Sequence, residues 1–309
     1  MRHAFLKIGA VIGMAVAVVA VQAQVGGVRG VVDRNLQGVG GYNQAIEDAM
    51  GNKTDNKLPP PPAPVAEGAL KTGWLTRKSK DGKKDVRLYF AYPAGLTKAK
   101  PAPGLLVLQE WWGVNDDIQE RTRDFATKGF YAVAADLYSG KVTDNPDEAA
   151  KLKDSMTDAD AMTAMKTGLD LIEEEGKNGV INVNRVGSVG WCMGGQQSLL
   201  LSVADPRVKA TALFYGPLVT DAAKLKNLQG PVLGIFGNDD KTPSPDDVKK
   251  FKAGLEAAGK KDVTIYQFDG VGHAFASKSA AKMGAYNEEK AKDAFTKLYA
   301  WLDQKLPRN

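Results

Sequence analysis

Arg185-Val186-Gly187-Ser188-Val189-Gly190-Trp191-Cys192-Met193-Gly194-Gly195 decides how the rest of this chain is read. Residues 186–191 are small, β-branched or aromatic, the composition of a short buried strand. Residues 194–204 continue as a helix. Between them lies Gly190-x-Cys192-x-Gly194, the cysteine form of a nucleophile elbow. A sharp strand-to-helix turn lifts the sulfur clear of a sheet, and the flanking glycines allow the chain to pack closely. The backbone N–H of Met193 then faces the place where a substrate oxyanion would form. The start of the following helix favours a thiolate through its dipole.

Working outward from this turn, residues 88–92, 105–109, 131–136, 208–215, 232–236 and 263–268 read as strands. Residues 116–128, 245–258 and 288–305 read as helices, and 147–175 as a helical stretch in two pieces. Strands alternating with helices predict a single α/β domain over residues 67–309, with a mostly parallel central sheet and helices on both faces. Ligand sites in such sheets lie beyond the carboxyl ends of the strands.

The residues able to do chemistry follow predicted strands. The chain has one cysteine and two histidines, and His3 lies in the N-terminal leader, which leaves Cys192 and His273. His273 sits in the glycine-rich loop Asp269-Gly270-Val271-Gly272-His273, after the last strand. Thiol and imidazole together suggest nucleophilic catalysis. A carboxylate to orient the imidazole is expected in Gly237-Asn238-Asp239-Asp240. Spacing from Gly237 selects Asp240, with Asp239 the alternative. Glu110 ends a buried strand beside Trp111 and Trp112, where a carboxylate is costly unless hydrogen-bonded. The backbone N–H of Trp111 is a candidate second oxyanion donor.

Together, Gln109-Glu110-Trp111-Trp112-Gly113-Val114-Asn115, Asp136-Leu137-Tyr138, Val189 to Gly195, Gly237-Asn238-Asp239-Asp240 and Gly272-His273-Ala274-Phe275 resemble the dienelactone hydrolase family of α/β-hydrolases. The resemblance runs from about residue 86 to 306. It implies an α/β-hydrolase fold and a Cys192–Asp240–His273 triad. It implies that Glu110 holds the resting thiol until substrate releases the sulfur towards His273, and that Tyr138 lies near the active site. The family's type reaction opens the lactone ring of dienelactone, whose carboxylate is held by two arginines. One follows the Asp-Leu-Tyr stretch; the other lies four residues after the histidine. Here the first region offers Lys141, and the second position is Ser277, followed by Lys278. A lysine would act as a point charge without the planar fork of arginine.

The expected activity is hydrolysis of small esters or lactones (carboxymethylenebutenolidase-type), with no cofactor or metal. A general carboxylesterase or thioesterase is the alternative within hydrolases. A non-catalytic binding protein on the same fold is the alternative outside them. The sequence carries no P-loop, no G-x-G-x-x-G fingerprint and no metal-ligand cluster. A thiol redox role is disfavoured, because the single cysteine has no resolving partner.

The remaining organisation concerns the N-terminus. Arg2 and Lys7 precede the apolar run 8–21, and Val21-Gln22-Ala23 has small residues at the positions a signal peptidase inspects. Residues 1–23 are therefore expected to be a cleaved signal peptide, giving a periplasmic or secreted protein without stable membrane insertion. Residues 24–66, ending in Pro59-Pro60-Pro61-Pro62-Ala63-Pro64, read as a flexible to semi-rigid spacer. Losing Arg2 and Lys7 takes the formal charge from +5 to +3. Lys249, Lys250, Lys252, Lys260 and Lys261 lie in helical stretches without interleaved aromatics, so no nucleic-acid partner is expected.

Overall fold

The computed structural model describes residues 67–308. The expected signal peptide and spacer lie outside the described residues. Eight strands form one sheet in the order β1-β2-β4-β3-β5-β6-β7-β8. They are β1 (Leu70–Lys78), β2 (Asp85–Pro93), β3 (Ala102–Leu108), β4 (Tyr131–Ala135), β5 (Ile181–Trp191), β6 (Ala210–Phe214), β7 (Val232–Gly237) and β8 (Val263–Phe268). The six strands from β4 to β8 in the sheet order pair in parallel, while β1 and β2 run antiparallel at one edge.

The helices are α1 (Asp116–Thr127), α2 (Pro146–Ser155), α3 (Asp158–Lys177), α4 (Met193–Ala204), α5 (Ala222–Leu225), α6 (Pro245–Ala257) and α7 (Glu288–Lys305). Each long helix begins where the sequence supplies a cap. Asn115 Oδ1 accepts from the Ile118 N–H at 3.2 Å, with Asp116 and Asp117 in the first turn. Ser244 and Asp247 form a reciprocal capping box, with Pro245 at the first helical position. The exception is α4, whose N-cap is Cys192 and which has no side-chain cap. Of its leading N–H groups, those of Gly195 and Gln196 bond the Cys192 carbonyl.

Strand β3 shows how the layers divide. All seven of its residues are buried. Leu105 and Val107 join one apolar cluster with Ile118 and Phe125 of α1 and Leu298 and Trp301 of α7. Leu106 and Leu108 join another with Met165, Leu169 and Ile172 of α3. Side chains alternate across a strand, so one continuous apolar run feeds both faces. This is the α/β-hydrolase architecture expected from the alternating pattern, with helices on both sides of a mostly parallel sheet.

Three elements differ from the sequence expectation, one of them the short helix α5, which no sequence pattern announces. The edge strand β1 lies where no strand is expected, because Lys71, Arg77 and Lys78 give it a polar surface. β5 starts at Ile181, five residues before the apolar run, with a register irregularity against β3 at Pro103/Gly104. Among the described residues no helix is long and apolar enough to cross a membrane.

Candidate active site

Six side chains gather at the carboxyl edge of the parallel strands. Glu110 follows β3, Tyr138 follows β4, Cys192 follows β5, Tyr215 follows β6, Asp240 follows β7 and His273 follows β8. Parallel strands bring all these ends to one side of the sheet, which unites residues up to 163 positions apart in sequence.

The turn at Cys192 is strained, as an elbow requires. Cys192 has φ 55° and ψ −120°, in the region that favours glycine. Its N–H donates to the Phe214 carbonyl at 3.0 Å, and its own carbonyl accepts from Gly195 and Gln196. A side chain at residue 190 would place its Cβ 2.1 Å from the Gly194 carbonyl oxygen, and one at residue 194 would lie 2.3 Å from that of Leu108. The flanking glycines are therefore a steric necessity of this crossing. The backbone N–H groups of Met193 and Trp111 have no hydrogen-bond partner among the described residues.

His273 Nε2 lies 3.1 Å from Cys192 Sγ, and Nδ1 lies 3.0 Å from Asp240 Oδ2. The other Asp240 oxygen accepts from the Thr242 N–H at 2.9 Å, which fixes the carboxylate plane. Asp240 is buried, whereas Asp239 is exposed. Of the two acids, Asp240 is the one that lies on the imidazole. Burial opposes the imidazolium, but Asp240 and Cys192 outweigh it and raise His273 to about 10.

Glu110 is buried, and hydroxyls satisfy its oxygens. Ser277 Oγ donates to Oε2 at 2.5 Å and Tyr215 OH to Oε1 at 3.3 Å. The contact between Glu110 and the resting thiol that the resemblance implies is not among these hydrogen bonds. The sulfur already lies on His273 Nε2, and Glu110 is occupied by two donors that meet the demand of a carboxylate removed from water. Burial still holds its carboxyl above the usual range, against the pull of Arg121 and of Ser277.

Tyr138 is buried, and its hydroxyl donates to Met193 Sδ at 3.3 Å. The hydroxyl is therefore committed to the side chain beside the nucleophile, and the ring lines a cavity of about 220 Å³ with Leu152, Met156 and Lys141. Lys278 does not face the site: its ammonium pairs with Glu120 at 2.7 Å on an exposed surface. Among the described residues no group of His, Cys, Asp or Glu side chains is disposed to hold a metal ion.

Three residues escape a reading of the sequence alone. Tyr215, with φ 35°, packs its ring edge-on to His273 at 5.3 Å between centroids. Ser277 supplies the shortest hydrogen bond to Glu110. Arg121 is buried in α1, where Ile118, Arg121, Thr122 and Phe125 form the inward stripe. A charged residue on that stripe is the signal that would have singled it out.

Comparison with known proteins finds relatives of this chain in sequence and in fold. The profile of the dienelactone hydrolase family matches residues 89–306. A candidate carboxymethylenebutenolidase of Methylorubrum extorquens is 31% identical over 229 residues, covering 69% of this chain and 76% of that protein. The protein named usf of Aquifex pyrophilus is 30% identical over 246 residues, covering 76% and 99%. Among solved structures, a candidate dienelactone hydrolase of Klebsiella pneumoniae is 27% identical with a TM-score of 0.65, covering 76% of this chain and 99% of that one. A dienelactone hydrolase-like promiscuous phosphotriesterase from metagenomic libraries, 24% identical, has a TM-score of 0.67 over 77% and 99% and shares the fold. The chain belongs to the dienelactone hydrolase family, whose members are hydrolases acting on ester bonds.

Proposed function

We propose that this protein is an exported cysteine hydrolase that opens small lactones or cleaves small esters through Cys192, His273 and Asp240. The observation that carries the reading is the imidazole of His273 bridging Asp240 and Cys192, with 3.0 Å on one nitrogen and 3.1 Å on the other. The thiolate attacks the substrate carbonyl carbon, and the carbonyl electrons move to oxygen. The N–H groups of Met193 and Trp111, together with the start of α4, stabilise that oxyanion. When the oxyanion collapses, the C–O bond breaks and His273 gives its proton to the leaving alkoxide. Water then attacks the acyl-thioester, His273 takes a proton from it, and the thiolate leaves. In a lactone the alcohol stays tethered to the acid that is released.

The anchoring of the substrate decides between this reading and a second one. Ser277 stands where the family's second arginine is expected, and its hydroxyl is spent on Glu110. Lys278 is paired away from the site. These two observations favour a general carboxylesterase or thioesterase that needs no substrate carboxylate. Lys141 remains beside Tyr138 as the cation that could hold one. Rates on lactones and esters with and without a carboxylate separate the two readings.

The mechanism itself is tested by burst release of p-nitrophenolate from p-nitrophenyl acetate. The burst is expected from the wild-type chain and lost in Cys192→Ala and His273→Ala. Retention of full turnover in both variants would overturn the cysteine mechanism, and absence of turnover in the wild type would favour a binding protein. Export is tested by the mature N-terminus, expected at Gln24.

A further inference from the structure

Arg121 presents a cation where a folded core gains little from one. Its side chain is nine-tenths buried. Nε and Nη2 make a two-pronged pair with Asp117 at 3.1 and 2.8 Å, and Nη2 also donates to the Ala276 carbonyl at 3.0 Å. Cζ lies 4.3 Å from the centroid of the Trp191 ring and 5.5 Å from that of Phe295. Nη1 is buried without an acceptor. A buried ion pair with an unsatisfied donor is weak evidence for stability, since a methionine or leucine would pack such a position at lower cost.

The contacts of this guanidinium have a pattern. Trp191 immediately precedes Cys192, and Ala276 lies three residues after His273. One planar cation thus touches both segments that carry the reacting pair. The histidine loop is fastened to the segment after β3 at two further points. Ser277 Oγ binds Glu110, and Ser279 Oγ receives Asn115 Nδ2 at 2.9 Å and faces Asp117 Oδ2 at 3.3 Å. The charged and titratable groups facing Arg121 are Asp117 on α1, Glu110 after β3 and Tyr215 after β6. Those facing Glu110 are Arg121, Asp117, His273 and Tyr215. Within this set Arg121 is the fixed positive charge. Without it, burial leaves Glu110 to take up a proton, and His273 loses a neighbouring anion.

We propose that Arg121 is a positioning residue for the Cys192–His273 pair, acting through the Glu110 carboxylate and the Ala276 carbonyl. The inference rests on the reading of Cys192 as nucleophile. It adds a device that sets the placement and protonation of the histidine from behind the site, without touching substrate.

The test uses the full chain and two readouts, kcat and KM on p-nitrophenyl acetate and the rate of alkylation by iodoacetamide, each across about pH 5 to 10.5. Because the chain has a single cysteine, alkylation reports Cys192 alone. In Arg121→Gln, the alkaline limb of the ester profile is expected to move down by about one pH unit or more. kcat is expected to fall by about tenfold, with KM within about threefold of wild type. Arg121→Lys keeps the charge without the fork, so it should restore the limb but only part of the rate. In a Glu110→Gln background, adding Arg121→Gln should cost less than about threefold, because the two residues act as one unit.

Wild-type pH limbs and alkylation profiles in both arginine variants would overturn the proposal. So would a loss in Arg121→Gln that persists in full on the Glu110→Gln background. If Arg121→Gln does not fold, Arg121→Met, which fills the site without the charge, takes its place in the same comparison: a rate loss that shrinks on the Glu110→Gln background supports the proposal, and an undiminished one refutes it. A wild-type chain without ester turnover would refute the hydrolase mechanism, while the alkylation profiles would still score Arg121.

Discussion

Nε2 of His273 lies 3.1 Å from Sγ of Cys192, across 81 positions of sequence. The contact joins the loop after β8 to the turn after β5. It gives the imidazole a second hydrogen-bond partner besides Asp240, and against the opposing effect of burial the two hold its proton to about 10 rather than near the ordinary histidine value of 6.5.

A pH dependence of stability follows from that shift. A group whose folded value is raised stabilises the fold fully below its unfolded value, progressively less above it, and not at all once pH passes the folded value. His273→Gln should therefore lower the melting temperature most at and below about pH 6.5, progressively less above it, and hardly at all above about pH 10. Melting curves of both proteins at intervals through this range check it. A difference that grows towards alkaline pH would contradict the imidazolium.

Asp240 and Asp239 separate an orienting carboxylate from a bystander. Asp240 is buried against His273 Nδ1, while Asp239 is exposed. Asp240→Asn offers an amide where the ring needs an acceptor, and kcat should fall by about 10²–10⁴-fold. Asp239→Asn should stay within about threefold of wild type, as a surface change away from the ring does. Steady-state kinetics on p-nitrophenyl acetate compare the two. Equal losses would remove Asp240 from its assigned place.

The elbow makes a prediction about packing. In Gly190→Ala the new Cβ would meet the Gly194 carbonyl oxygen at 2.1 Å, and that atom belongs to backbone rather than to a side chain that can rotate away. Forcing such a contact typically costs about 1–3 kcal/mol. The turn would also open, so activity should fall further than stability alone explains. Urea unfolding midpoints together with kcat measure both effects, and a variant of wild-type stability and rate would show that the crossing is not tight.

How much of this was legible in the sequence depends on the range of each interaction. The β5–Cys192–α4 unit was legible because strand, glycine turn and helix are all written within some twenty consecutive residues. Asp240 and His273 were legible because each follows its own apolar run, and parallel topology does the rest. β1 was not, since an edge strand bearing Lys71, Arg77 and Lys78 has the composition of a solvated loop until β2 is there to pair it. The partners of Glu110 were not legible either. Ser277 and Tyr215 reach it across 167 and 105 positions, through hydroxyls that carry no pattern of their own. The resemblance to a family supplied a role for Glu110 but not its hydrogen bonds. In the structure those bonds come from Ser277 and Tyr215, while the thiol lies on His273.

The Ser277 hydroxyl yields the last prediction. It is fully buried and gives Glu110 a hydrogen bond of 2.5 Å. A hydrogen bond to a charged group contributes about 1.5–3 kcal/mol, roughly twice that to a neutral one. Ser277→Ala removes it and leaves the carboxylate with Tyr215 and the field of Arg121. Glu110, already raised by burial, should then rise further. A carboxyl with a raised folded value favours the fold in acid and weighs against it as pH climbs through that value. The destabilisation by Ser277→Ala should therefore be smaller at about pH 5 than at about pH 8, where the lost bond was to an anion. Denaturant unfolding at the two pH values measures the difference. A pH-independent loss would mean that Glu110 keeps one protonation state across the range, and that Ser277 serves packing rather than charge.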